Sequence, residues 1–235
     1  MPKEANWSAY LRVAGRQHGV LSRAQALSCG LSPAAIGRRV ASGRFELIFP
    51  GVYRVLGAPE SWRQQVMAAC LWAGAGAVSS HRTAGALWGL DGMPPGVVEI
   101  TTLRRLRSPA VLLHQSRLTP RDATAIGSIP VTDSTRTLID LGAVARREMV
   151  EVALDDALRR RLTSLKLLLA RLDDLGGKGR RGAGVLRSLL EQRDPKKPPP
   201  ESVLEARLIG LLRRARLPAD VHRESGYRRA GTDQR

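Results

Sequence analysis

Residues 22–56, SRAQALSCGLSPAAIGRRVASGRFELIFPGVYRVL, decide the N-terminal fold, because helix and turn signals follow one another closely in this stretch. Ser22 is placed to cap a short helix that Gly30 ends, and serine and glycine are typical of these two boundary positions. Ser32 and Pro33 then open the next helix, as an N-cap followed by proline at the first helical position. The pattern predicts two short helices joined by a tight turn.

The stretch ends in a hairpin pattern, and a further helix precedes it. Residues 45–49 and 52–56 read as short strands joined by Pro50 and Gly51. The order helix, helix, tight turn, helix, hairpin predicts a winged helix-turn-helix over residues 1–57. The upstream helix has the apolar spacing of an amphipathic helix, at Trp7, Tyr10, Leu11 and Ala14.

In a helix-turn-helix the second helix enters the major groove of DNA, and its N-terminal residues contact base edges. We assign Ile36 and Val40 of this helix to the core, which leaves its small and cationic residues outward or lateral. Either of the two adjacent arginines, Arg38 or Arg39, is placed to form a bidentate hydrogen bond with guanine or an ion pair with a phosphate. Arginines at the start of the preceding helix and in the wing are placed to meet the DNA backbone. The candidate DNA-contacting residues are Arg23, Ser32, Ala34, Ala35, Arg38, Arg39, Arg44 and Arg54.

The charge of the chain agrees with a polyanionic partner. Thirty-eight Lys and Arg against 21 Asp and Glu give a net charge of +17, and nucleic acid is the commonest polyanion that a soluble protein meets. Residues 1–57 contain eight basic and two acidic residues. Arginines on short helices are also often simply solvated, and winged helices also bind proteins, so a protein-interaction module with an acidic partner stays open.

Membrane insertion and secretion are not expected. The N-terminus has no apolar run behind its lysine, and no stretch approaches the roughly 18 apolar residues of a membrane span. Cys29 and Cys70 fall in different predicted helices without metal-ligand spacing, which is typical of free buried thiols in a reducing cytosol. We expect a cytoplasmic protein that makes no membrane contact.

Helical and strand patterns mix without regular βαβ units in residues 58–192, which predicts an α+β domain and an α+β fold for the chain. Ser80 is placed to cap a helix, and strand-like runs follow. Residues 193–200, RDPKKPPP, are expected to form a stiff linker. Residues 201–235 predict one last helix and a loose tail. The strand-like runs are residues 97–101, 111–115 and 129–131.

No catalytic or metal-binding set emerges from the sequence. His81 is adjacent to Ser80, but the sequence places no acid beside them, so a capping serine next to a structural histidine is the simpler interpretation. Asp155 and Asp156 diverge by about 100° on a helix. We therefore expect no enzymatic activity, no cofactor and no metal. The histidines, far apart in the chain, are His18, His81, His114 and His222.

Four segments together resemble the AbiEi-type antitoxins of type IV toxin–antitoxin systems. The resemblance implies a winged N-terminal domain that represses the promoter of its own operon by binding double-stranded DNA. It also implies an antitoxin domain that opposes a nucleotidyltransferase toxin without forming a stable complex with it. Many such repressors pair on inverted repeats, so a homodimer on DNA is compatible with the resemblance, although the sequence shows no interface. The segments are residues 19–55, SSHRTAGALWGL (79–90), IPVTDSTRTLIDLG (129–142) and RRGAGVLRSLL (180–190).

Residues 201–218, ESVLEARLIGLLRRARLP, resemble the start of a domain related to very-short-patch-repair endonucleases. The acidic motif that should follow is missing, since the chain continues RESGYRRAGTDQR after His222. Glu201 and Glu205 therefore have no metal-binding partners in the sequence. We interpret this segment as a truncated or frameshifted helical remnant, and a nuclease of the repair-endonuclease class stays the enzymatic alternative.

Overall fold

The computed structural model describes residues 7–175, 182–191, 193, 208, 211 and 212, and these residues form a mixed α+β fold, as predicted. The helices are α1 (Trp7–Arg16), α2 (Arg23–Ser28), α3 (Pro33–Ala41), α4 (Trp62–Ala73), α5 (His81–Trp88), α6 (Ser134–Val144), α7 (Arg147–Arg159), α8 (Leu165–Leu175) and α9 (Ala183–Glu191). The strands are β1 (Val20–Ser22), β2 (Phe45–Phe49), β3 (Val52–Val55), β4 (Val78–Ser79), β5 (Val98–Thr102), β6 (Val111–Gln115), β7 (Ala123–Ile126) and β8 (Ile129–Thr132).

The first three helices and a three-stranded antiparallel sheet form the predicted winged helix-turn-helix. The sheet has the order β1-β3-β2, and its first strand is a finding that the sequence pattern did not predict. Ser22 caps α2 in a capping box with Gln25, and Ser32 caps α3 by accepting the backbone N–H of Ala35 at 3.2 Å. Each cap contributes on the order of 1 kcal/mol to helix stability. Gly30 takes a φ of +87° in the turn between the two helices, a conformation that other residues adopt at a cost.

An aromatic cluster holds α1 and α3 against the small sheet. Phe45 packs edge-on against Tyr10 and parallel to Tyr53, with ring centroids 5.5 and 5.6 Å apart. Ile36 of α3 is buried in this cluster, as predicted. The assignment of Val40 to the core is wrong, because its exposed fraction is 38 %.

The second sheet has the order β6-β5-β4-β8-β7 and is mixed: β5–β6 and β4–β8 are parallel, whereas β4–β5 and β7–β8 are antiparallel. Strands β5, β6 and β8 correspond to the predicted runs, and β4 and β7 were not predicted. Apolar residues of one face of the sheet join α4 in one buried cluster. Helix α5 lies between β5 and α6 and brings polar side chains to the sheet.

Helix α4 also contacts the winged part of the chain. Val20 and Val52 belong to the same buried cluster as α4, and Phe49 stacks on Trp72 with centroids 5.2 Å apart. Ser61 caps α4 by accepting the backbone N–H of Gln64, and the side-chain NH₂ of Gln64 donates to the carbonyl oxygen of His18 at 2.7 Å. The division of the chain at residues 57 and 58 stays a prediction, and apolar packing crosses it.

Helices α6 to α9 form a second apolar layer with leucines at its centre. A Cβ atom at Gly142 of α6 would collide with the carbonyl oxygen of Gly182, so this glycine permits the close approach of α9. None of the helices in the described residues combines the length and the apolar character needed to cross a bilayer. The predicted linker at 193–200 and the remnant at 201–235 lie outside the described residues, apart from four positions.

Both cysteines are free, as expected, but they differ in their surroundings. Cys70 is buried in α4, and burial raises the pKa of its thiol to about 12. Cys29, at the C-terminal end of α2, is only partly buried. The expectation of two buried thiols is therefore correct for Cys70 alone.

Candidate DNA-binding surface

The outer face of α3 is exposed and consists mostly of small residues. Ala34, Gly37, Arg38 and Ala41 follow the i, i+3, i+4, i+7 spacing of one helix face, and all four are exposed. A Cβ atom placed on Gly37 would meet no atom within 4 Å, so the space above the helix is open there. We call these four residues the α3 outer face. Its small side chains let another molecule approach the backbone, and Arg38 supplies its cation.

The Arg39 side chain points away from the α3 outer face, into the aromatic cluster. Its exposed fraction is 7 %, its guanidinium carbon lies 5.4 Å from the ring centroid of Tyr10, and the distance to the ring of Phe45 is 6.0 Å. One guanidinium nitrogen donates to the backbone carbonyl of Ala35 at 3.0 Å. The prediction that Arg39 faces outward is wrong, because its side chain closes the aromatic cluster beneath α3. Ala35 itself is partly buried, whereas Ser32 is exposed.

Arg23 is exposed at the first position of α2, directly after the Ser22 cap. Its backbone N–H donates to the carbonyl oxygen of Gly51 at 2.7 Å, so α2 begins against the turn of the hairpin. Arg23 is therefore accessible at the start of α2, and its contact with a DNA phosphate stays a prediction.

The wing packs against helix α4. Ile48 and Phe49, next to the turn, pack against the α4 cluster. Arg54 forms ion pairs with Glu46 and, at 2.6 Å, with Glu60, and its side chain is 16 % exposed. These carboxylates compensate its charge, so Arg54, like the inward-facing Arg39, is poorly suited to contact DNA. Arg44 is exposed between α3 and β2.

A second polar cluster, which the sequence pattern did not reveal, lies between α5 and the large sheet. His81, Glu99 and His114 come together there from three separate elements. The His114 Nε2 atom lies 2.7 Å from the Glu99 Oε2 atom, and the two imidazole rings stack with centroids 3.5 Å apart. Ser80 occupies the predicted N-cap position of α5, but its hydroxyl contacts the His81 Nδ1 atom at 2.9 Å and makes no cap hydrogen bond. We call His81, Glu99 and His114 the histidine cluster.

Burial determines the protonation of this cluster. Burial and, to a smaller extent, the neighbouring His114 lower the pKa of His81 to about 3. Burial by itself would raise the pKa of Glu99, but hydrogen bonds from His114 and Arg82 outweigh it, and the net pKa lies below its ordinary value. At neutral pH the cluster therefore holds a neutral His81 and an ionised Glu99.

The fold and the α3 outer face define a winged helix-turn-helix protein with an appended α+β part. A family model described as "Transcriptional regulator, AbiEi antitoxin" matches residues 8–56, which is the winged part. The fold is similar to that of the crystal structure of the RV2827C protein from Mycobacterium tuberculosis, with a TM-score of 0.50 and 16 % identity over 91 % of this chain and 82 % of that chain. No curated protein matches the chain significantly. None of these comparisons supports the repair-endonuclease resemblance of residues 201–218.

Proposed function

We propose that this protein is a DNA-binding transcription regulator of the AbiEi antitoxin type, and that the α3 outer face docks in the major groove. The observation that carries the proposal is the exposed, small-residue face of α3 with Arg38 at its centre, in a segment that the AbiEi regulator model matches. Recognition by a second helix is how helix-turn-helix proteins read bases.

The dimensions of α3 suit this role. An α-helix is about 10–12 Å across with its side chains, and the small residues of the α3 outer face keep it narrow enough for a major groove about 12 Å wide. The small side chains of Ala34 and Gly37 permit a close approach, so the longer Arg38 side chain reaches base edges. Arg23 and Arg44 flank this helix and supply phosphate contacts that fix its position.

The finer parts of the proposal concern the partners. The DNA is the promoter of the protein's own operon, and the protein acts there as a repressor without enzymatic activity. The α+β part, residues 58–192, opposes a nucleotidyltransferase toxin without forming a stable complex with it. Pairing of two copies on an inverted repeat is the expected mode of binding for a repressor with one reading helix.

Fluorescence anisotropy on the native upstream fragment and on random DNA, at several salt concentrations, tests the DNA proposal. We expect Arg38→Ala to cost on the order of 1–3 kcal/mol on the native fragment and to relax base preference, since a bidentate contact to guanine is lost. We expect Arg44→Ala to weaken binding to all sequences and to flatten the salt dependence, since it removes a phosphate contact.

Arg121→Ala is the matched control, because Arg121 is an exposed arginine beside the second sheet and its removal changes the net charge equally. Binding by this variant should stay close to that of the wild type. An equal loss on both DNAs for Arg38→Ala would reduce Arg38 to a phosphate contact. Wild-type binding no tighter on the native fragment than on random DNA would contradict the proposal and favour the protein-interaction module.

A further inference from the structure

The histidine cluster places three metal-binding side chains at one point of the fold. His81 is the first residue of α5, Glu99 lies on β5, and His114 lies on the neighbouring strand β6. The pairing of Thr101 with His114 puts Glu99 and His114 on the same face of the sheet, because alternate residues of a strand share a face. One ligand atom from each of the three residues lies within 4.8 Å of the other two.

We propose that His81, Glu99 and His114 bind one divalent transition-metal ion, and that Zn²⁺ is the ion that suits them best. Two imidazoles and a carboxylate are an established zinc ligand set. Ligand atoms at about 2.1 Å from a tetrahedral zinc lie about 3.4 Å from one another, and the three atoms in this structure lie within 4.8 Å of one another. The carboxylate supplies charge and the imidazoles supply the preference for zinc over magnesium or calcium.

The two imidazole rings are close enough to share one ion after one of them turns. Their planes are nearly parallel, with an interplanar angle of 16° and centroids 3.5 Å apart. The lone pair of an imidazole nitrogen lies in the plane of its ring, so the partly exposed His114 ring must rotate for both lone pairs to meet at one ion. The hydroxyl of Ser80 engages the His81 Nδ1 atom and itself accepts from Thr101 at 2.7 Å. In the arrangement typical of zinc-bound histidines, the Nδ1–H group of His81 would donate to Ser80 and its Nε2 atom would bind the ion.

Two arginines lie near the cluster, and the carboxylate that Arg82 contacts is the proposed ligand Glu99 itself. Arg82 contacts the Oε1 atom of Glu99 at 3.1 Å, and the buried Arg136 pairs with Asp122 and Asp140. The second Glu99 oxygen, Oε2, faces His114. A bound metal ion would coordinate this oxygen and the His114 Nε2 atom and would replace the hydrogen bond between them. Arg82 would keep its contact with the Oε1 atom.

An ion can reach the cluster from the side of His114. The His114 side chain is 26 % exposed, whereas that of Glu99 is 1 % exposed. Three protein ligands leave one position of a tetrahedral ion for water or for a small ligand. The ion would link β5, β6 and the start of α5, so its binding should stabilise the larger sheet.

Titration of the chelator-treated, dialysed full chain with Co²⁺, followed by displacement with Zn²⁺, tests this proposal. We expect one equivalent of Co²⁺ to produce visible ligand-field absorption that Zn²⁺ abolishes, and Zn²⁺ to raise the thermal midpoint of the wild type. His114→Ala and Glu99→Gln should each weaken Zn²⁺ binding at least about tenfold. His18→Ala is the matched control, since His18 is a partly buried histidine outside the cluster, and it should bind as the wild type does.

Circular dichroism in the presence of chelator verifies that each variant is folded. A substitution at the partly exposed His114 should disturb the fold less than one at the buried Glu99. The proposal is overturned if the folded wild type binds no stoichiometric Zn²⁺. It is equally overturned if a folded His114→Ala or Glu99→Gln variant keeps the wild-type affinity. The titration contains no DNA, so its result is independent of the DNA-binding proposal.

Discussion

Substitutions at Gly37 can separate an effect on the stability of α3 from an effect on its proposed contact with DNA. The residue lies in the middle of the helix, is exposed, and has no atom within 4 Å of the position of a Cβ atom. Glycine loses more conformational freedom on folding than other residues, so Gly37→Ala should stabilise the protein by about 0.5–1 kcal/mol. For a chain of this size, 1 kcal/mol corresponds to a rise of roughly 2–4 °C in the thermal midpoint.

Gly37→Gln should have opposite effects on stability and on DNA affinity. Glutamine is a better helix former than glycine, so the free energy of unfolding should rise or stay constant. Its side chain projects from the α3 outer face between Ala34 and Ala41, where the DNA is expected to approach the backbone. We expect the affinity for the native upstream fragment to fall at least tenfold, which corresponds to about 1.4 kcal/mol.

Thermal unfolding and fluorescence anisotropy measure the two effects on the same protein preparation. Gly15→Gln is the matched control, because Gly15 is exposed at the second-to-last position of α1 and a Cβ atom there also meets nothing within 4 Å. This control should gain stability and keep its DNA affinity. A folded Gly37→Gln variant with wild-type DNA affinity would refute the reasoning, because it would show that nothing approaches this face closely.

Two further substitutions test the packing around the site. Arg39→Met should lower the free energy of unfolding by about 1 kcal/mol, since it removes the cation from the ring of Tyr10 at 5.4 Å but keeps the buried stem. Urea unfolding measures this loss, and a stable variant with weakened DNA binding would contradict the inward role of Arg39. Burial would raise the pKa of Asp122, but hydrogen bonds from Thr119 and the charges of two arginines hold it below its ordinary value. The ionised Asp122 carboxylate therefore stabilises the protein at neutral pH, and this stabilisation is lost as the pH falls through the lowered pKa. Asp122→Asn should reduce the dependence of the free energy of unfolding on pH in the acid range. An unchanged dependence would contradict this role of Asp122.

Local signals in the sequence were sufficient for the helix-turn-helix. The caps at Ser22 and Ser32 and the left-handed turn at Gly30 depend on neighbouring residues only, so these features could be predicted. The inward side of α3 could not be predicted by counting apolar residues. Ile36 and Arg39 lie inward while Val40 is exposed, because the arginine stem and its planar cation pack on aromatic rings that come from other elements.

Long-range pairing explains the other differences. β1 and β4 have three and two residues, too few to produce a pattern, and each forms only because distant strands pair with it. The histidine cluster likewise depends on contacts between residues that are distant in the sequence. Glu99 and His114 become neighbours through the register of β5 and β6, and His81 joins them because α5 begins beside this sheet. The spacing of these three residues in the sequence does not predict that they come together.

Site-specific photocross-linking tests most directly whether the α3 outer face lies on DNA. Benzoylphenylalanine would be incorporated at Ala34 in one protein and at Thr124, an exposed position on β7, in another. We expect an efficient cross-link from position 34 to the native upstream fragment and only background from position 124. Background at position 34, under conditions in which the protein shifts the fragment, would contradict the proposed mode of DNA binding.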